Sequence, residues 1–394
     1  MPEPLLTDPT TIAAYLIAVV GFVFWLSGLA PLKKVFQVTP PVLYAYFLPM
    51  LSTFVGITPA ASPAYAWITR YLLPFALLLL MISVDLKAIA RLGRMALIMM
   101  LAGTTGVVLG AIGSYMLFGG MLPQEAWKGF AALTGSWIGG TANFVAIAES
   151  VGTPPGTLAP FIVVDTVVGY GWMGVLLALS AWQHRFDKAI GADTSAIEET
   201  NRRLAAITDT RRPTAVRDVL ILVAVGLAGA VLAVTIGGGL PDLGNPPIIS
   251  GTTWAVLIVV TGGLLLSFTP MRRLEEVGAS SIGYGALYLL LAAIGARADL
   301  RAIADTPLYL VAGAVWIAIH VAVLFAVARL VRAPLFFVAT GSMANIGGAA
   351  SAPIVAGVYH PAMAPVGLLM AVAGYILGIY AGFGTAWVLG QLGT

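Results

Sequence analysis

Apolar residues run along this chain in blocks too long for a buried core helix and too continuous for a half-exposed strand. Such runs lie at 11–29, 41–57, 67–84, 93–118, 157–182, 217–237, 252–270, 279–296, 306–331 and 363–390. Each predicts a membrane-spanning helix, because about 20 apolar residues cross the hydrocarbon core. Two further apolar segments break the pattern. Residues 127–152 and 334–358 each carry a Gly-Gly pair near the middle, Gly139-Gly140 and Gly347-Gly348, with Ser, Thr and Asn around it. Irregular backbone at membrane depth persists only where protein or water satisfies it. Each segment is therefore either a broken crossing helix or a re-entrant hairpin of two half-helices.

The order of these features repeats. Asp85-Leu86-Lys87-Ala88-Ile89 matches Asp299-Leu300-Arg301-Ala302-Ile303, and Thr58-Pro59 matches Thr269-Pro270. The Gly-Gly pairs match, each just after a Gly-Ser (Gly135-Ser136, Gly341-Ser342), and Val168-Gly169-Tyr170 matches Ala373-Gly374-Tyr375. The expected fold is an all-α integral membrane protein of about ten transmembrane helices in two repeats, each with a re-entrant or broken helical hairpin. Residues 1–182 form the first repeat, 183–216 a polar linker, and 217–394 the second. Five spans per repeat is an odd number, so the second repeat is inverted, an arrangement typical of secondary transporters. The linker is expected to hold no folded domain beyond a short amphipathic helix around Ser195–Ile207.

Charge sets the sidedness. With re-entrant hairpins and the N-terminus outside, sixteen of the 20 Lys and Arg residues fall in cytoplasmic loops, as loop charge favours. They include Lys33, Lys34, Lys87 and the basic residues between Arg185 and Arg217. Arg70, Lys128, Arg297 and Arg301 remain outside. Crossing segments would give a poorer split. The expectation is a protein of the cytoplasmic (inner) membrane with both termini outside and a cytoplasmic central loop. The first ten residues contain Glu3 and Asp8 and no Lys or Arg, so a signal peptide is not expected and the first run is read as a retained helix.

Composition narrows the function classes. The chain is 59% hydrophobic and 9% charged, with net charge +3, which excludes a soluble enzyme, a disordered chain and a nucleic-acid binder. It has no cysteine, hence no thiol nucleophile and no Cys-ligated metal. No G-x-S-x-G elbow and no HExxH-type spacing occurs, so no enzyme is expected. An intramembrane enzyme or receptor stands as a minor alternative.

The candidate chemistry sits at the breaks. A half-helix ending near Ile138 presents free carbonyls, and one beginning near Thr141 presents free N–H groups, which suit a cation and an anion respectively. Thr141 is the expected N-cap, with Asn143 one turn inside. The candidate substrate-binding set is Ser136, Gly139, Gly140, Thr141 and Asn143 in the first segment, with Ser342, Asn345, Gly347, Gly348 and Ser351 in the second. Asp165, well inside a spanning helix, is costly there and functional by default. It is the expected coupling-ion ligand for Na⁺ or H⁺, with Thr141, Asn143 and Asn345. Its repeat counterpart lies near Met370. His320, at the centre of its helix, is either a proton relay or a neutral hydrogen-bonded imidazole. Glu149 is read as reaching the interface, Asp85 and Asp299 as helix caps, His184 and His360 as loop residues, and the Trp and Tyr residues as interface belts. No cofactor is expected beyond a bound Na⁺.

The blocks GSWIGGTANFVAIAE, GSMANIGGAASAP and AGYILGIY resemble the YjcL-like family of bacterial and plastid membrane proteins, long catalogued as a domain of unknown function. The resemblance runs the whole length. More distantly, the Gly-Gly hairpins resemble those of sodium-coupled glutamate and hydroxycarboxylate symporters. The inverted halves are similar to those of the 2-keto-3-deoxygluconate permease and the bile acid:sodium symporters. That likeness implies Na⁺- or H⁺-coupled uptake of a small organic solute, an anion, by an elevator motion of a core against a homodimeric scaffold. Helices 1, 2, 6 and 7 would form the scaffold. Neither tip carries an Arg. The alternative is a cation/proton antiporter without organic substrate, using Asp165 and His320.

Overall fold

A computed structural model describes residues 4–32, 35–36, 41–204, 212–244, 249–298, 306–360 and 363–393. No strand occurs among them; Leu243 and Ile249 form an isolated bridge. The first half runs α1 (Pro9–Gly28), α2 (Pro41–Phe54), α3 (Pro63–Ile82), the short α4 (Leu86–Ala90), α5 (Gly93–Phe118), the pair α6 (Ala126–Gly139) and α7 (Thr141–Ser150), and α8 (Pro155–Leu179). Two linker helices follow, α9 (Gln183–Ile190) and α10 (Ser195–Leu204). The second half runs α11 (Val216–Gly238), α12 (Gly251–Leu266), a 3₁₀ segment Pro270–Val277, α13 (Ala279–Ala296), α14 (Thr306–Val331), the pair α15 (Leu335–Ile346) and α16 (Gly348–Tyr359), and α17 (Ala364–Leu392). Among the described residues the two halves present the same order of long helices and broken pairs. The chain is an all-α polytopic membrane protein.

Every apolar run forms a helix, but not ten full spans. Eight described helices are long and apolar enough to cross a membrane, nine if α12 and the 3₁₀ segment, bent by 99°, count as one span. The expected spans 41–57 and 252–270 are shorter. α2 has 14 residues and α12 has 16, roughly 21 and 24 Å at about 1.5 Å per residue. Local backbone chemistry ends them early. Gly56, at φ +82°, closes α2: its N–H donates to the Thr53 carbonyl (3.1 Å) and the Ile57 N–H to the Ser52 carbonyl (2.8 Å). That pair of bonds is a Schellman stop. After α12, Thr269 accepts from the Met271 N–H (3.2 Å), and Pro270, lacking a donor, opens the 3₁₀ turn.

Helix α9 was not expected, and α10 begins where the linker helix was predicted. Asp85 caps α4, its side chain accepting from the Ala88 N–H (2.9 Å). The matching Asp299, together with Lys33, Lys34, Arg301 and residues 205–207 of the predicted linker helix, lies outside the described residues.

The chain divides into two compact units that interleave along the sequence. The first comprises Met1–Ser83, Ala148–Val163 and Arg211–Pro307. Within it α13 packs on α2 and α3, and α11 and α12 pack on each other and on α3. Glycines set the closeness: a Cβ on Gly283 would lie 3.1 Å from the Ala76 carbonyl oxygen, and one on Gly263 3.2 Å from that of Leu78. The second unit comprises Val84–Ile147, Val164–Thr210 and Leu308–Thr394, and holds most of the first hairpin and all of the second. The first unit contains the four helices expected to form the scaffold, and α3 and α13 as well. Their apolar residues leave no polar face: Leu73–Ile82 is buried throughout, as is Leu290–Ala296.

Within the second unit the glycines of α5 admit the bulky residues of α14. A Cβ on Gly106 would lie 2.9 Å from the His320 carbonyl oxygen, and one on Gly110 would strike the Trp316 indole. The Trp316 indole donates to the Val107 carbonyl (2.7 Å) and stacks on Phe130 with centroids 5.5 Å apart.

Candidate functional site

The first break is built by one glycine. Gly140 has φ 79° and ψ −176°, a conformation that an L side chain resists. Its N–H donates to the Ser136 carbonyl (2.6 Å), closing α6. Its carbonyl accepts from the N–H groups of Asn143 (3.0 Å) and Phe144 (3.2 Å), opening α7. Gly140 therefore occupies the N-cap, and Thr141, expected there, is the first helical residue. The chain then turns back on itself. A Cβ on Gly135 would lie 3.1 Å from the Asn143 carbonyl oxygen and would strike Ile147. In a continuous helix Gly135 and Asn143 would be separated by about 12 Å. The segment is thus a hairpin.

Helix α17 covers the hairpin with a four-residue glycine spacing. A Cβ on Gly378 would lie 2.9 Å from the Gly139 nitrogen and 3.1 Å from the Gly135 oxygen. One on Gly374 would collide with the Ile138 carbonyl, and one on Gly382 with Ile147. Small residues let helix backbones meet this closely in membranes.

Asp165 is held by the last turn of α6. Ser136 Oγ donates to its Oδ2 (2.9 Å) and the Trp137 indole N–H donates to its Oδ1 (2.8 Å). A carboxylate can accept more than two hydrogen bonds, so each oxygen retains a free lone pair. Asn143, in the first turn of α7, is fully buried. Its Nδ2 donates to the Tyr375 carbonyl (3.0 Å), which fixes the amide orientation. Its Oδ1 is buried with no hydrogen-bond partner. A buried acceptor left in this state is costly unless something absent from the chain itself fills the position.

The second hairpin has α15 and α16 packed on each other, with Gly347 N–H donating to the Met343 carbonyl (2.9 Å) and Gly348 at φ +62°. Its polar residues are paired differently. Ser342, the repeat equivalent of Ser136, also meets an ionisable residue: its Oγ lies 2.9 Å from His320 Nε2. His320 Nδ1 lies 3.0 Å from the Gly103 carbonyl, which can only accept, so Nδ1 carries the proton and Nε2 accepts from Ser342. The Trp172 indole donates to the same Ser342 oxygen (2.8 Å). Asn345 clamps α15 to α5: Oδ1 accepts from Thr104 (2.9 Å), and Nδ2 donates to the Gly341 carbonyl (2.8 Å). Ser351 hydrogen-bonds Tyr170.

The structure therefore brings Ser136 to Asp165 and Ser342 to His320, and commits Asn345 to a packing clamp. Sequence reasoning missed Trp137, Trp172, Thr104 and Tyr170. It assigned Trp and Tyr to interface belts, and that is corrected here: Trp137, Trp316, Tyr46 and Tyr65 are among the largest fully buried side chains. The available signal was Trp137 inside the Gly-rich break, far from either end of an apolar run. Trp25, Trp67, Trp182 and Trp387 are exposed, as a belt requires.

The linker also reaches this unit. Asp187 Oδ1 accepts from the Leu335 N–H (2.8 Å) and so caps α15. Gln183 Nε2 lies 3.1 Å from His360 Nε2.

The chain has relatives in sequence. The chain is 26% identical over 345 residues to the uncharacterized membrane protein YjcL of Bacillus subtilis (strain 168), spanning 84% of this chain and 85% of that one. A family model described as "Protein of unknown function (DUF819)" matches residues 14–392, hairpins included, and by that match the chain belongs to the DUF819 family.

Proposed function

We propose that the protein is a secondary active transporter that couples uptake of a small organic anion to Na⁺. The observation that carries this reading is the first hairpin. One turn holds the Asp165 carboxylate by two donors, and the next turn leaves the Asn143 amide oxygen buried and unpartnered. Carboxylate and amide oxygens are the ligands hard cations take. The carbonyl end of α6 adds negative potential at the same turn. His320 argues against a proton relay, because both of its nitrogens are matched in one neutral tautomer. The elevator motion, the homodimer and the cytoplasmic-membrane placement with an internal linker belong to the same reading. They rest on the resemblance that the Gly-Gly segments bear in sequence to sodium-coupled symporters, and Asp165, His320 and Asn345 fall in one unit.

The test is the melting temperature of purified protein in NaCl, LiCl, KCl and choline chloride, wild type beside Asp165→Asn. Asn keeps an oxygen for the Trp137 indole and an amide N–H for the Ser136 hydroxyl oxygen, so the variant is expected to fold. A ligand that binds only the folded state stabilises by about 2.7 kcal/mol at a hundredfold excess over Kd. The expected result is stabilisation by Na⁺ in the wild type and none in Asp165→Asn. An unchanged sodium response in the variant would overturn the assignment. Insensitivity to Na⁺, with a pH dependence lost in the variant, would replace sodium with the proton. Na⁺ flux against a pH gradient in proteoliposomes without solute would favour an antiporter.

A further inference from the structure

A cavity in the first unit lies among residues the transport reading does not use. It has a volume of about 630 Å³, within the ~300–1,000 Å³ range of ligand pockets. Arg70, from the second turn of α3, and Arg297, at the end of α13, both line it. They are two of the four cations that the charge pattern leaves outside the cytoplasmic loops. Glu149 lines it as well and pairs with Arg297, but at 3.9 Å, beyond hydrogen-bonding range. The Arg297 guanidinium donors are therefore not taken up by that carboxylate. Among the described residues no acid pairs with Arg70, whose guanidinium lies 5.6 Å from the centroid of the Tyr71 ring. Thr69, also in the lining, has a buried hydroxyl oxygen with no hydrogen-bond partner.

Two guanidinium groups against one carboxylate leave one excess positive charge. The remaining wall is apolar, with Leu73, Pro74, Val234 and Val256 in the lining. Arg presents a planar fork of donors that matches a carboxylate or phosphate, and is the usual residue for such recognition. A cavity with a cationic end, a free hydroxyl and an apolar wall fits a ligand with one anionic head and an apolar body.

We propose that this cavity binds an amphiphilic monoanion, a carboxylate or phosphate carried on an apolar chain, through Arg70, Arg297 and Thr69. The source is either a soluble solute or an anionic lipid. The site does not depend on the sodium assignment, since none of the residues at the hairpin tips lines it.

The experiment is calorimetric titration of the full chain in phosphatidylcholine nanodiscs, corrected with empty discs. The probes are octanoate, octanol and octanedioate. Octanoate is expected to bind once per chain and octanol not at all. Arg70→Gln and Arg297→Gln are each expected to weaken octanoate at least tenfold. Glu149→Gln removes the compensating carboxylate and is expected to shift preference from octanoate to octanedioate. Native mass spectrometry after purification from anionic membranes identifies the source. A phosphatidylglycerol retained by the wild type and lost in Arg70→Gln makes the ligand a lipid, and free octanoate binding without it makes the ligand a solute. The proposal is overturned if neither ligand binds, if octanol competes equally, or if the Arg variants bind like wild type. Should an Arg variant fail to fold, an unchanged mono- to dianion preference in Glu149→Gln overturns it alone.

Discussion

Gly378→Ala, compared with Gly384→Ala on the same helix, isolates the contact that seats the first hairpin. Both substitutions add one methyl to α17. In a helix that change is favourable by roughly 0.5–1 kcal/mol, because Gly loses more backbone entropy on folding than Ala. At Gly384 the new Cβ meets nothing within 4 Å, so the gain stands. At Gly378 it would lie 2.9 Å from the Gly139 nitrogen and 3.1 Å from the Gly135 oxygen, and would strike the Asn143 amide. The first two are backbone atoms and cannot rotate aside. Overpacking of this kind costs about 1–3 kcal/mol. The expected outcome is a net loss of up to about 2.5 kcal/mol for Gly378→Ala, a small gain for Gly384→Ala, and a gap of about 1–3 kcal/mol between them, equal to the overpacking cost. Reversible unfolding in mixed micelles, followed by circular dichroism, measures the gap. Gly378→Ala should also weaken any sodium-induced stabilisation, because the displaced Asn143 would no longer hold its oxygen in place. Two variants agreeing within about 0.5 kcal/mol would refute the close approach of α17 to the hairpin, and with it the geometry assigned to Asn143.

Two further predictions concern the linker. Asp187→Ala removes the acceptor for the first N–H of α15, where Pro334 supplies no side-chain cap, and should cost about 0.5–2 kcal/mol. Asp187→Asn keeps an acceptor oxygen and should cost clearly less; equal losses would show that the cap is not the source. His360 lies beyond the end of α16, and its pKa is lowered, first by burial, with Asp187 opposing. Protonation would also set an N–H of the ring against the Gln183 amide donor. The folded state therefore favours the neutral ring. The contribution is complete above the unfolded pKa of about 6.5 and is lost as pH falls toward the lowered folded value. His360→Gln should flatten the fall in stability below pH ~6.5, and an unchanged slope would locate the titration elsewhere.

Much of the fold could be read from one sequence because a membrane imposes one dominant rule, that apolar length makes a span. The breaks were visible because Gly140 and Gly348 sit inside apolar runs where no helix needs them. The true lengths of α2 and α12 were not visible, since Val55 and Phe268 continue the apolar run past the point where the backbone has already turned. Gly56 carried the missing signal, a helix stop inside an apolar stretch. The partners of the polar residues were illegible for another reason. Ser136 finds Asp165 across 29 positions and Ser342 finds Trp172 across 170, and no local pattern encodes either meeting. Tryptophan compounds this, because its composition suits an interface belt and a buried donor equally.

The two hairpins share a plan but not a charge. At repeat-equivalent positions Ser136 and Ser342 each donate to an ionisable residue. In the first hairpin Ser136 and Trp137 both donate, so the partner must be an acceptor only, and Asp165 is one. In the second, Ser342 donates a hydrogen bond to a neutral imidazole and accepts one from Trp172, so the chain of bonds closes on the Gly103 carbonyl with each of these donors matched. Met370, the sequence counterpart of Asp165, is fully buried and brings no charge. With Ser342 and Asn345 matched, the second hairpin leaves an unpartnered hydroxyl oxygen at Thr340 but no charged group, whereas the first leaves spare carboxylate lone pairs and an orphan amide oxygen at Asn143. On the proposed reading this asymmetry sets the stoichiometry. A chain whose hairpin-held carboxylate and orphan amide oxygen both belong to the first hairpin has the ligands for one coupling cation rather than two.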